Sequence, residues 1–192
     1  DGSSGTVDIA AYMDAPGSVA VDLTTGLANG AFGSDTLANI NSVLGSDSAD
    51  ALKGNGGINL LDGGPGNDTV MGAGGDDLLG GWTGNDRIDG GTGRDVLDFA
   101  DSPRKVTVNL TRSRAQGLGT DTLKGIEDVI GSRFADSLTG NAAANGLDGG
   151  RGGDQLFGRG GPDRLNGGPG RDLVDGGAGR DLCRNAEKRI SC

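Results

Sequence analysis

Histidine is absent from the 192 residues, glutamate occurs only as Glu127 and Glu187, cysteine only as Cys183 and Cys192, and aromatic residues make up 3% of the chain. With no imidazole there is no general base of that kind and no partner for the two thiols at a metal. No activated nucleophile pattern stands elsewhere, so an enzyme within these residues is not expected, although a larger parent protein can carry one. Hydrophobic residues reach 33%, too little apolar material for an ordinary packed core of this length. No apolar run approaches the roughly 18 residues of a membrane span. Helical periodicity is missing, apart from ambiguous stretches at 37–44 and 123–130. The net charge of −10 argues against nucleic acid as a partner. The opening DGSSGTVDIA has neither the basic start nor the apolar stretch of an export signal. A signal is therefore expected to be absent or removed. Because the chain starts inside a repeat-like stretch, it reads as a piece of a larger exported protein.

What the chain does have is 41 glycines and 25 aspartates. A merely solubilising surface mixes both acids; a strong bias to the shorter carboxylate suits tight turns and hard-cation sites, where the charge stays close to its own backbone. The charge is uneven. Residues 1–98 hold 15 Asp against Lys53, Arg87 and Arg94, a net of −12, while residues 131–192 are close to neutral.

A nine-residue period begins at Gly45 and does not slip through residue 98: GSDSADALK, GNGGINLLD, GGPGNDTVM, GAGGDDLLG, GWTGNDRID and GGTGRDVLD. A second array begins at Gly131: GSRFADSLT, GNAAANGLD, GGRGGDQLF, GRGGPDRLN, GGPGRDLVD and GGAGRDLCR. Each unit has Gly first and an apolar residue eighth, the latter running Leu52, Leu61, Val70, Leu79, Ile88, Leu97 and then Leu138, Leu147, Leu156, Leu165, Val174, Cys183. A larger near-duplication pairs the segments that precede the arrays: Val19, Val21 and Leu23 alternate as Val106, Val108 and Leu110 do. Both are read as strands with one buried face that cover or extend the adjoining array.

One such unit, a glycine-rich turn and a three-residue strand, cannot bury its single apolar side chain alone. Two units make a coil with eighth-position residues pointing inward from opposite sheets, and stacked coils make a core. Rungs of a parallel stack lie about 4.8 Å apart, so sixth-position carboxylates eighteen residues apart in sequence stand one above another. At an effective dielectric of about 20, like charges about 5 Å apart repel by about 3 kcal/mol, at every step of every column. A divalent cation between rungs converts that repulsion into coordination by carboxylate and carbonyl oxygens, with glycine supplying the positive backbone angles that aim the carbonyls inward.

With those units in view, the arrays resemble the hemolysin-type calcium-binding repeats of RTX exoproteins, with consensus GGxGxDxUx. Twelve units cover 108 of the 192 residues. The resemblance implies an all-β fold of two tandem right-handed parallel β-rolls, each preceded by a short strand-rich leader. The expected divisions are 1–44 (leader), 45–98 (first roll), 99–130 (second leader), 131–184 (second roll) and 185–192 (degenerate repeat and cap). In that family one rung gives the carbonyls of positions two and four with its carboxylate, and the rung eighteen residues on gives the carbonyls of positions one and three with its own. Carried over, the sets are Gly64, Gly66 and Asp68 with Gly81, Thr83 and Asp86, and Ala73, Gly75 and Asp77 with Gly90, Thr92 and Asp95. In the second array they are Gly150, Gly152 and Asp154 with Gly167, Pro169 and Asp172, and Arg159, Gly161 and Asp163 with Gly176, Ala178 and Asp181. Asp50 and Asp136 keep the carboxylate in opening units where Ser48 and Phe134 replace glycine, so sites with Asp68 and Asp154 are weaker or empty. Asn59 and Asn145 lack the charge and rank lower. The implied complement is several calcium ions, about four to eight. Each Asp also has a plainer reading as an Asx-turn or solvated acid, which twelve units in register disfavour for the central rungs and which stands for Asp35 and Asp121 in the leaders.

The resemblance further implies a secreted or cell-surface, monomeric module of a larger chain that folds on calcium binding outside the cell and serves as a stabilising region. Arginines at turn positions, Arg133, Arg151 and Arg171 on one edge and Arg159 and Arg180 on the other, with Arg164 on a strand, keep open an acidic-polysaccharide or cell-surface-polymer partner. The plainer alternative is turn residues offsetting neighbouring Asp. A subunit of a calcium-dependent surface assembly is a further alternative. Trp82 is expected to be exposed in a turn. Counting nine residues beyond Cys183 puts Cys192 at the inward phase again, so a disulfide closing the C-terminal end is expected, against two buried free thiols or an unpinned tail.

Overall fold

The computed structural model describes residues 8–192. The chain divides into two compact units, Asp1–Val96 and Leu97–Cys192, and each is built from three- to five-residue strands with no α-helix among the described residues.

In the first unit the strands are β1 (Ile9–Ala11), β2 (Val19–Asp22), β3 (Leu27–Gly30), β4 (Gly33–Thr36), β5 (Ser42–Leu44), β6 (Ala51–Lys53), β7 (Leu60–Asp62), β8 (Thr69–Met71), β9 (Leu78–Gly80) and β10 (Arg87–Asp89), and the division between the units falls within β11 (Val96–Asp98). They alternate between two layers. One runs β1-β5-β7-β9 and the other β10-β8-β6-β2, all parallel, before β3 and β4 turn back antiparallel. Within the array each residue pairs with the one eighteen positions on: Val43 with Leu61 and Leu61 with Leu79 in one layer, Leu52 with Val70 and Val70 with Ile88 in the other. The middle residue of every array strand therefore points inward, and all of these are buried.

The leader strand β2 extends the roll: Val21 lies beside Leu52 in parallel register. The end of the stretch around 37–44, ambiguous by periodicity, resolves as β5, with Val43 already on the inward column one rung before Leu61.

The second unit repeats the plan. Its strands are β12 (Thr107–Asn109), a 3-10 turn (Leu110–Arg112), β13 (Arg114–Gln116), β14 (Thr120–Lys124), β15 (Asp128–Ile130), β16 (Ser137–Thr139), β17 (Gly146–Asp148), β18 (Gln155–Phe157), β19 (Arg164–Asn166), β20 (Leu173–Asp175), β21 (Leu182–Arg184) and β22 (Lys188–Ile190). One layer runs β15-β17-β19-β21, the other β22-β20-β18-β16-β12, with β13 and β14 continuing it antiparallel. Val108 pairs with Leu138 as Val21 pairs with Leu52. Asp121, read from the sequence as an Asx-turn or solvated acid, is neither: it lies in β14 opposite the buried Ala115 of β13 and is itself buried.

The chain end differs from the count of nine. Cys183 and Cys192 form a disulfide, with Cys183 buried and Cys192 exposed. The last strand, β22, reaches register three residues early, pairing Val174 with Arg189, so Cys192 lies beyond the strand and not on the inward column.

Candidate metal centre

Every sixth-position side chain from Asp50 to Asp95 and from Asp136 to Asp172 is buried, the Asn59 and Asn145 amides included. Each carboxylate is held there by a main-chain N–H of the rung before. Asp68 N–H donates to Asp86 Oδ1 and Asp77 N–H to Asp95 Oδ1, both at 2.9 Å; Asp154 N–H donates to Asp172 Oδ1 and Asp163 N–H to Asp181 Oδ1, again at 2.9 Å. The four carboxylate pairs read from the sequence are thus brought together rung on rung. Each bond uses Oδ1 and turns Oδ2 into the turn.

In Asp68, Asp77, Asp154, Asp163 and Asp172 Oδ2 is buried and without a hydrogen-bond partner. Burial of an unpaired charged oxygen costs several kcal/mol, so the arrangement demands either a proton or a cation. The surroundings favour a cation. A Cβ placed on Gly72 would lie 2.2 Å from Asp77 Oδ2 and 2.5 Å from the Gly90 carbonyl oxygen. On Gly149 it would lie 2.6 Å from Asp154 Oδ2 and 2.8 Å from Gly167 O, and on Gly158 2.3 Å from Asp163 Oδ2 and 2.4 Å from Gly176 O. Carboxylate and carbonyl oxygens converge on one small space that only a glycine leaves open.

The other carbonyls of the predicted sets stand at the same edges, partly engaged. Thr83, Thr92 and Pro169 accept main-chain bonds from Gly66, Gly75 and Gly152 N–H, while Ala73 and Arg159 accept from Thr92 and Ala178 N–H; each carbonyl keeps a second lone pair. Gly66, Gly150, Gly152 and Gly161 carbonyls press against Gly84, Gly168, Gly170 and Gly179 of the next rung. Second-position residues take left-handed backbone whether or not they are glycine, as Gly64 (φ +82°), Ala73 (φ +76°), Trp82 (φ +53°) and Arg159 (φ +78°) show. Holding non-glycine residues there costs energy, which marks the turn as imposed by the stack.

The opening units are different. Asp50 and Asp136 are capped by protein donors: Ser46 and Ser132 give both their N–H and their hydroxyl, and Val19 and Val106 N–H add a third donor at 2.7 Å. Serine at the second position is the signal for this. Asn59 and Asn145 likewise bond locally, to Asn55 and Asn141 N–H.

Burial pushes the Asp68 and Asp77 carboxyls up to about 6, and Asp154 to about 7. The main-chain N–H bond from the rung before pulls each back, and neighbouring carboxylates, Asp50 and Asp62 for Asp68 and Asp136, Asp172 and Asp148 for Asp154, push again. Asp95, Asp136, Asp163 and Asp172 are raised by burial as well. Among the described residues no three acidic, cysteine or histidine side chains cluster; the acids stand in columns, and the remaining donors are main-chain carbonyls, a donor set suited to a hard oxygen-seeking cation.

The profile of the RTX calcium-binding nonapeptide repeat matches residues 44–79, 81–100, 121–156 and 148–183. The chain belongs to the RTX calcium-binding repeat family. No curated protein matches it as a relative. Its repeats form the parallel β-roll of that family, and the buried oxygens described above fit the calcium that the family binds. A calcium held by these carboxylate and carbonyl oxygens would supply the positive charge that the buried oxygens lack.

Sequence reasoning missed Glu187, whose Oε2 accepts Asp172 N–H at 2.6 Å; the only signal was an acid inside a degenerate unit. The turn arginines Arg133, Arg151, Arg159, Arg171 and Arg180, the strand residue Arg164, and Trp82 are all exposed. Arg133 and Arg159 lie over Phe134 and Phe157, at 5.2 and 6.0 Å from the ring centres.

Proposed function

We propose that this chain is a non-enzymatic folding and stability module of a secreted protein, whose rolls form when calcium enters the turn columns outside the cell. The observation that carries this reading is the set of buried, unpartnered carboxylate oxygens on Asp68, Asp77, Asp154, Asp163 and Asp172. With 33% hydrophobic residues and a net charge of −10, the chain has little apolar burial to set against them. Binding free energy is then folding free energy: an ion present at about a hundred times its dissociation constant stabilises the fold by about 2.7 kcal/mol. The ligand sets are the carboxylate pairs Asp68/Asp86, Asp77/Asp95, Asp154/Asp172 and Asp163/Asp181 with their turn carbonyls. Asp50 and Asp136, satisfied by serine, serve as caps that end each column without an ion. At the low calcium of a cytosol the chain stays unfolded and exportable; at extracellular calcium it folds.

Far-ultraviolet circular dichroism across a calcium titration, with magnesium as control, is the test. Calcium is expected to convert a disordered spectrum into a β-rich one and magnesium to fail, since it demands near-ideal octahedral geometry. A β-rich spectrum unaffected by chelator overturns the reading.

A further inference from the structure

The second array is followed by a unit that has lost three residues. Asn185 stands where the next first-position glycine falls, eighteen residues after Gly167, yet β22 pairs Val174 with Arg189, fifteen residues on. The shortening removes turn residues and brings Glu187 to the place of a sixth-position aspartate. Its Oε2 accepts the Asp172 N–H, the bond that Asp154 gives to Asp172 and Asp68 gives to Asp86. The extra methylene of glutamate reaches across the shorter turn.

The rest of a cation site surrounds it. Asp172 is 2% exposed and its Oδ2 has no hydrogen-bond partner. A Cβ on Gly167 would lie 2.8 Å from that oxygen and 2.2 Å from the Asn185 carbonyl oxygen, the same convergence found at Gly149 and Gly158. Gly168 and Gly170, the second- and fourth-position residues of this rung, line an open depression with Asn185 and Glu187, so the space is reachable from solvent. The Cys183–Cys192 disulfide ties the segment that carries Glu187 to β21 of the opposite layer.

We propose that this end rung is a further calcium site outside the nonapeptide motif. Asp172 and Glu187 supply its carboxylates and Asn185, Gly168 and Gly170 its carbonyls, with the disulfide holding the shortened unit in place. It rests on the calcium reading of the arrays and extends the column by one ion beyond the last complete repeat pair.

Calcium retained by the full chain after desalting is counted by native mass spectrometry for the wild type, Glu187→Ala and the neighbouring control Arg189→Ala. Glu187→Ala is expected to retain one ion fewer and Arg189→Ala the full number, with calcium-saturated circular dichroism unchanged in both. Glu187→Gln, which keeps the length and the bond to Asp172 N–H, separates ligation from packing: it is expected to weaken the last ion roughly tenfold in a calcium titration through the lost charge. Wild-type counts in Glu187→Ala, or a wild-type titration in Glu187→Gln, overturn the end site while leaving the arrays as calcium binders. No retained calcium in any of the chains overturns both readings.

Discussion

At the residue level the conflict is clearest at Asp154. Its Oδ1 is satisfied by a main-chain N–H of the rung before, while its Oδ2 is buried with nothing to bind. Burial raises its pKa to about 7, and those of Asp68 and Asp77 to about 6. A carboxyl whose pKa rises on folding favours the fold in its protonated form. That contribution is complete below about pH 4, the unfolded value, and is lost as pH climbs through about 6 to 7. The calcium-free chain is therefore expected to gain β structure on acidification from about pH 7.5 to 5, while calcium affinity falls over the same range because ions displace protons. Circular dichroism in chelator and calcium titrations at each pH check both; a calcium-free chain equally unfolded at the two ends sinks the argument. The variant Asp154→Asn separates the two states. Removing the charge is expected to make the chelated chain more folded than wild type. In calcium the same variant loses about 3 kcal/mol, the contribution of one well-occupied ion, read from denaturant midpoints with and without calcium.

At the level of elements, the array strands were legible because each centres on one buried apolar residue, and the nine-residue spacing of Leu52, Leu61 and Val70 can be read without any structure. The antiparallel hairpins were not. All four residues of β4 are exposed, and in β3 only Ala28 is buried, so neither carries an alternation for a reader to find; main-chain pairing of β3 to β2 and of β4 to β3 holds them. The leader strands β2 and β12 were found by their valines, and their parallel pairing makes them the first rung of one layer in each unit. Val108→Ala leaves a void beside Leu138 at that rung and is expected to cost roughly 2 kcal/mol. In a calcium-coupled fold that cost appears as a higher calcium midpoint with an unchanged end-point spectrum. An unchanged midpoint in a titration followed by circular dichroism contradicts a leader that starts the roll.

At the level of the whole molecule the two units share a plan but not a charge. Residues 1–98 carry a net of −12 against a nearly neutral 131–192. A strongly negative surface attracts calcium beyond the contact ligands, and added salt screens that attraction within a Debye length of about 10 Å at 0.1 M. Raising sodium chloride is thus expected to weaken calcium binding in the first array more than in the second. Hydrogen exchange, which reports protection array by array, checks this at low and high salt; equal salt slopes count against it.

The sequence by itself determined the repeat, the inward column and the identity of the carboxylates, because a strict period forces equivalent residues into equivalent places. It did not reveal which carboxylates are satisfied and which are orphaned. Ser46 and Ser132 close the columns at Asp50 and Asp136, and Glu187 continues one past the last full repeat, through contacts that exist only once the turns are wound and the rungs stacked. Tertiary structure also decided the fate of Cys192, exposed beyond a strand that arrives three residues early, because register follows main-chain pairing and not the count.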